Sequence, residues 1–257
     1  MILVGCQADK ATNEVISFSD QALENAIRDT LDITSGDITR EDMQQLSGLH
    51  LENKGLKTID GLEHAENLEI LYIGGNNISD ISALSSLKQL KMIHAQDNKL
   101  EDITPLSDLQ KVWYLQLSNN QIQDISPLEG LINLMVLNLR NNNIENISPL
   151  SNLSSLYWLN MLGNNIEDIS PLSNATMLKW LNIASNQVSD LSPLDNMLEL
   201  KVAHLQDNNI TNVTPLLSLQ DKNASLCVYI CDNPITDIEA VVLLERVFKL
   251  VDTGSCP

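Results

Sequence analysis

A skeleton of 22 residues that begins at Leu68 returns at Leu90, Val112, Leu134, Leu156, Leu178 and Leu200. Self-similarity at a fixed short period is the mark of a solenoid, in which each turn is one small unit that buries its apolar side only by stacking on the next. The skeleton reads L-x-x-L-x-L-x-x-N-x-I-x-D-I-S-P-L-x-x-L-x-x, and its clearest copy is Leu156, Leu159, Met161, Asn164, Ile166, Asp168, Ile169, Ser170, Pro171, Leu172.

Each part of the skeleton has a physical task. Apolar residues at the first, fourth and sixth positions alternate with polar or aromatic ones, which predicts a short strand with one buried face in every turn. The ninth position is Asn76, Asn98, Asn120, Asn142, Asn164, Asn186 and Asn208, with Asn233 continuing the series in a divergent last turn. A carboxamide offers two donors and an acceptor, so an inward Asn is expected to satisfy loop backbone groups that stacking removes from water. The pairs Thr104-Pro105, Ser126-Pro127, Ser148-Pro149, Ser170-Pro171, Ser192-Pro193 and Thr214-Pro215 are expected to act as N-cap and first-turn residue of a short helical turn on the outer side.

With Ile-Ser-Pro-Leu closing turn after turn, the repeats resemble the bacterial internalin-type class of leucine-rich repeats, from about Ser17 to the end. The resemblance implies an α/β leucine-rich repeat solenoid. Its curved parallel sheet would line the concave face, with short 3-10 or helical turns on the convex face, a helical N-terminal cap and a helix-containing C-terminal cap. It also implies that partner proteins bind on the concave side.

The ends fit that architecture. Ser19 is the expected N-cap of a first helix, with Phe18 and Leu23 as a hydrophobic staple and Ala22, Leu23, Ala26, Ile27 and Leu31 on one face. Thr39 is expected to cap a second helix within 36–46. The first turn, 46–67, carries Lys54 where the Asn should stand and reads as a capping repeat. Aligning Asn233 puts three extra residues somewhere in 217–224; 238–247 then has helical spacing, and 248–252 is expected to return as a closing strand. The division is therefore 1–16 as a signal or lipobox remnant or linker, 17–45 as the helical cap, 46–232 as repeats and 233–257 as the C-terminal cap. No Gly/Ser linker interrupts 17–257, which reads as one structural unit.

Leu3-Val4-Gly5-Cys6 resembles the bacterial lipobox, in which the Cys carries lipid, although the basic start and longer apolar run of a secretory signal are missing from the sequence. Either Cys6 is a lipid anchor or the segment is a plain signal remnant. On the strand reading Cys227 and Cys231 lie about 13 Å apart, too far to bridge each other. A closing strand would bring Cys256 near Cys231, so a Cys231–Cys256 disulfide is expected in an extracytoplasmic setting, the alternative being three reduced thiols.

Since the fold accounts for the other positions, function is sought on the outward strand positions. The third residues of successive turns are Gly48, Ile70, Met92, Tyr114, Val136, Trp158, Trp180, Val202 and Cys227; the fifth are His50, Tyr72, His94, Gln116, Asn138, Asn160, Asn182, His204 and Tyr229. All three Trp and all four Tyr fall at second, third or fifth positions. Aromatic residues favour strands and stack across them, which accounts for some of this. A stripe of them on a solvated face still points to a contact surface. The candidate partner-binding residues are Tyr72, His94, Trp113, Tyr114, Arg140, Tyr157, Trp158, Trp180, His204 and Tyr229. Strands about 4.8 Å apart make nine of them an arc of roughly 38 Å, suited to a protein or extended polypeptide. A glycan- or peptide-binding module and a structural or adhesive surface protein are the alternatives.

The formal net charge of -19 argues against nucleic acid, whose phosphates need a basic patch. Much of the acid sits in the turn after the ladder Asn, as Asp80, Asp102, Asp124, Asp168 and Asp190, where a solvated or turn-capping role is expected rather than a metal site. No H-E-x-x-H, P-loop or G-x-S-x-G occurs, and His50 and His94, two turns or about 10 Å apart, cannot share a zinc ion. The expectation is a non-enzymatic, cofactor-free, monomeric protein outside the cytoplasm, at a bacterial surface, in the periplasm or secreted, with membrane contact only through a lipid on Cys6.

Overall fold

The computed structural model describes residues 14–219, 226–247 and 251–252, and it resolves the repeat into one stack of turns. Each turn contributes a three-residue strand: β1 Gly48–His50, β2 Ile70–Tyr72, β3 Met92–His94, β4 Tyr114–Gln116, β5 Val136–Asn138, β6 Trp158–Asn160, β7 Trp180–Asn182, β8 Val202–His204 and β9 Cys227–Tyr229. β10, Val251–Asp252, closes the sheet beside β9, and all ten strands run parallel in sequence order. The register is the repeat register throughout, so third residues stand beside third and fifth beside fifth, as in Trp158↔Trp180 and Asn160↔Asn182.

Behind the curved sheet, the turns that begin with β1 to β8 each return through a short 3-10 segment such as Ser126–Leu128 or Ser170–Asn174. The aliphatic skeleton positions fill the space between: Leu156, Leu159, Met161, Ile166, Ile169 and Leu172 are each at most 1% exposed. At roughly 1.5–3 kcal/mol per buried aliphatic side chain, this core is what drives the turns together.

The 3-10 segments correct one expectation. They begin at the Ser or Thr itself, with Pro second, and no hydroxyl caps the segment. The cap comes from the Asp or Asn two residues earlier, whose Oδ1 accepts the Ser or Thr N–H: Asp124 to Ser126 at 2.8 Å, Asn146 to Ser148 at 2.9 Å, Asp168 to Ser170 at 2.8 Å. A carboxylate reaches back across two residues where the Ser hydroxyl, already at the first helical position, cannot. The Thr104 hydroxyl and N–H hold the Asp102 carboxyl below its ordinary value.

At the N-terminal end, α1 (Gln21–Thr30) buries Leu23, Ala26 and Ile27. Its cap is Asp20 rather than Ser19: Oδ1 accepts the Ala22 N–H, and Oδ2 accepts Lys57 N–H from the first turn. A carboxylate with two acceptors ties helix to repeat as a hydroxyl could not. Phe18, one residue further from the cap than a staple requires, instead lies over Gly61, where a Cβ would meet its ring at 2.7 Å and the backbone φ is +102°. Thr39 caps α2 (Arg40–Met43) in a capping box with Asp42. Arg40 bridges Glu14 and Glu66 at 3.3 and 2.6 Å. At the other end, α3 spans Ile238–Val247, with Ala240 and Leu244 in the core.

The asparagine column holds the turns in register. Asn120 Oδ1 accepts the Leu100 N–H of the preceding turn (3.0 Å), while its Nδ2 donates to Ala95 O of that turn and to Leu117 O of its own (both 3.0 Å) and to Ser118 O (3.3 Å). Asn98, Asn142, Asn186, Asn208 and Asn233 repeat the pattern. In the first turn, where Lys54 replaces Asn, Asn76 Oδ1 accepts both Lys54 and Leu56 N–H at 3.0 Å, so the capping repeat stays satisfied from one side. Asn142→Ala would orphan one N–H and weaken three carbonyls in a site 7% exposed, a loss of about 3 kcal/mol or more in urea unfolding. Asn233→Ala, partly exposed at the end of the column, should cost clearly less.

Candidate functional site

The third and fifth columns project from the outer face of the sheet and are half-buried by one another. Their rings form two runs. In the first, His50 stacks on Tyr72 (centroids 4.3 Å apart), Tyr72 on His94 (4.4 Å) and His94 on Tyr114 (4.8 Å), with Trp113 edge-on to Tyr114. In the second, Trp158 lies flat on Trp180 (4.4 Å, 5° between planes), Trp180 tilts over His204, and His204 stacks on Tyr229 (4.5 Å). Tyr157 is capped by the Lys179 ammonium, 5.1 Å from its ring centre. Tyr72 fills the space between His50 and His94.

Stacking across strands thus engages every ring of these columns, more than the sequence suggests, because Tyr114 crosses from the third column to reach His94 and is held there by the Gln116 amide (2.9 Å). The two runs do not merge. Where β5 inserts Val136 and Asn138, a groove opens between them, lined by Tyr114, Gln116, Val136, Tyr157 and Trp158.

Of the ten candidate residues, Tyr72, His94 and Tyr114 lie in the first run and Trp158, Trp180, His204 and Tyr229 in the second. Trp113 and Tyr157, directly before β4 and β6, stand more exposed, at 37% and 43%. Arg140 is exposed just beyond β5, next to the groove rather than in either run. Sequence reasoning missed the company that Trp113 and Tyr157 keep: Met135, in the same second column, is 45% exposed, and Ile132 and Met177, just before their strands, are 56% and 54% exposed. The second-column position of Met135 was the available signal. Ile132 and Met177 sit at unconstrained skeleton positions and gave none.

A second regularity also escaped the skeleton. The eighth residue of every turn from Asn53 to Asp232 has a positive φ, between +52° and +68°. Apart from Ser185 its occupants are Asn, Asp and Gly, the residues that tolerate left-handed backbone best, which is how the composition of the column could have disclosed it. Here the chain leaves the sheet, and side chains link successive turns: Asn119 Nδ2 donates to Asp97 Oδ1 (2.7 Å) and Asn141 Nδ2 to Asn119 Oδ1 (2.8 Å).

Cys227 is a free thiol on the outer face. Cys231 is disulfide-bonded, and its proposed partner Cys256, like Cys6, lies outside the described residues. Among the described residues no group of three or more His, Cys, Asp or Glu is arranged to hold a metal ion, and no helix is long and apolar enough to cross a membrane.

Comparison with known proteins agrees with this geometry. The leucine-rich repeat family, in its two-copy form, matches residues 66–108 and 114–152. An internalin (inlF) from Listeria monocytogenes str. 4b F2365 superposes with a TM-score of 0.75 at 33% identity, covering 93% of this chain and 76% of that one. Internalin C2 (inlC2) from the same strain gives 0.71 at 30% identity, covering 94% and 97%. The functional domain of InlJ from Listeria monocytogenes, which includes a cysteine ladder, shares the fold with a TM-score of 0.67 at 22% identity, covering 91% of this chain and 56% of that one. No curated protein matches significantly.

Burial within the stacks lowers the pKa of both His94 and His204 from the ordinary 6.5; for His94, Glu52 opposes the shift and His50 adds to it. The unfolded chain therefore binds protons that the folded chain resists, so stability should be flat above pH 6.5 and fall as pH drops below it. Thermal melts of wild type against His94→Gln/His204→Gln check this. The double variant should lose the part of the slope that begins near pH 6.5.

Proposed function

The chain belongs to the internalin family of leucine-rich repeat proteins, and on that premise we propose that it is a non-enzymatic protein-binding module of a bacterial cell surface or periplasm. It recognises its partner as a monomer through the aromatic-rich concave sheet. The observation that carries this reading is the pair of ring stacks on the solvated side of the sheet, flanked by exposed Trp113, Met135 and Tyr157. An apolar surface of that extent reduces solubility, and rigid Trp and Tyr anchors bind with little loss of side-chain freedom. The ten candidate residues are its contact set, with Arg140 as the charged anchor.

Tethering follows the same reading. Cys6 carries the lipid, and Cys231 pairs with Cys256 to staple the C-terminal cap. Metabolic labelling with an alkyne fatty acid should mark wild type and not Cys6→Ser. Non-reducing peptide mapping should return the Cys231–Cys256 link with Cys227 alkylated, and a Cys227 link would discard the assignment.

The decisive test is a crosslinking pull-down from envelope and host-cell extracts, comparing wild type with Tyr114→Ala/Trp158→Ala/Trp180→Ala after both give the same circular dichroism. A protein held by wild type and lost from the variant, by tenfold or more, is the expected result. Equal capture would place recognition on the convex side or the caps.

A further inference from the structure

The middle of the outer sheet face, over β5 to β7, differs from the rest in the direction of its hydrogen bonding. Asn138, Asn160 and Asn182 stand side by side in the fifth column. In each, Oδ1 accepts the N–H two residues on: Arg140 at 3.1 Å, Leu162 at 3.1 Å and Ala184 at 3.0 Å. A backbone N–H can bond only to the amide oxygen, so these contacts fix all three carboxamides with the NH2 group turned the other way. Among the described residues none of the three NH2 groups finds an acceptor in the protein, and none of them is a buried unpaired atom, so all three are open to solvent or to a ligand.

The charges nearby have the same polarity. From Val112 to Leu219 the basic residues are Arg140, Lys179 and Lys201; Lys179 and Lys201 directly precede β7 and β8, and Arg140 stands two residues beyond the end of β5. Acids of the same stretch are carried mostly in the turns after the ladder Asn, as Asp124, Glu145, Asp168 and Asp190, with Glu199 and Asp207 closer to the sheet. Arg140 has no carboxylate within ion-pair distance among the described residues, and the Lys179 ammonium rests on Tyr157. Beside the Gln116 carboxamide and the Tyr114 and Tyr157 hydroxyls of the groove lining, this patch carries three NH2 donors, a guanidinium and an ammonium, set around the Trp158–Trp180 stack.

Resting on the reading of this face as the protein-binding site, we infer that its centre receives an acidic segment of a partner polypeptide, one apolar or aromatic side chain entering the groove while neighbouring carboxylates meet the donors. The net charge of -19 suggests a basic partner, but in this stretch the acids lie mostly off the strands, in the turns after the ladder Asn. With a screening length of about 8 Å at physiological ionic strength, groups in contact outweigh it. Hydrogen bonds to charged acceptors are also stronger than those to neutral ones.

The test uses a displayed library of random linear peptides panned on the full chain, with each selected peptide then measured against three variants. Asn160→Asp/Asn182→Asp keeps the oxygen that accepts the turn N–H and replaces the outward donor with an acceptor of nearly identical shape. Arg140→Glu/Lys179→Glu reverses the flanking charge, and Trp158→Ala/Trp180→Ala removes the stack. The expected result is enrichment of Asp and Glu beside Trp, Phe or Leu, with binding down at least tenfold in all three variants at unchanged melting temperature in the first. Peptides lost only with the tryptophans, or enriched in Lys and Arg, overturn the acidic partner and leave the concave site standing. Peptides indifferent to all three variants, or binding only of acidic oligosaccharides on a glycan array, overturn both.

Discussion

Stacked turns without long strands or helices leave most of their loop backbone facing another turn rather than water, and the asparagine column is the answer to that constraint. Each carboxamide serves as donor to its own turn and to the one before, and as acceptor for the one before, in a site 6–8% exposed at most central positions. Aliphatic side chains drive the turns together but are interchangeable in detail; an unpaired buried N–H or carbonyl is not. The three-residue strands, the left-handed exit at the eighth position and the identical register of all ten strands are arrangements that keep those bonds within reach.

The fold was legible because its information is repeated. The strand at each turn and the inward Asn follow from the repeated spacing, since a signal weak in one turn is reinforced by its copies, and α3 at Ile238–Val247 follows from its own helical spacing. Reading failed where one atom rather than one period decides. Ser19 and Asp20 are both good caps by type, and only the proximity of Lys57 N–H, remote in sequence, selects the carboxylate with two acceptors. Likewise the hydroxyls of the Ser-Pro pairs looked like caps until the position of the preceding Asp placed them inside the segment.

The candidate site was legible as columns but not as objects. Sequence identifies which rings share a face, because register in a 22-residue repeat is fixed by the ladder. It does not show that Tyr114 leaves its column for His94, splitting one stripe into two runs with a groove between. Nor does it orient the amides of Asn138, Asn160 and Asn182, which depends on a backbone N–H two residues away. Such features are set by rotamers and by contacts between turns, and they give the outer face its chemical character.

The ladder bonds run almost wholly from side chain to backbone, and the eighth-position side chains touch only adjacent turns. Through the ladder a turn therefore recognises its neighbour by main-chain shape rather than by residue identity, and an entire 22-residue module could be deleted, duplicated or exchanged with the ladder bonds at the junctions left intact. The outer columns then behave as a text written on a fixed ruled page: recombination between repeats can rewrite the sequence of rings, amides and charges in steps of one strand, without any line of the page being redrawn.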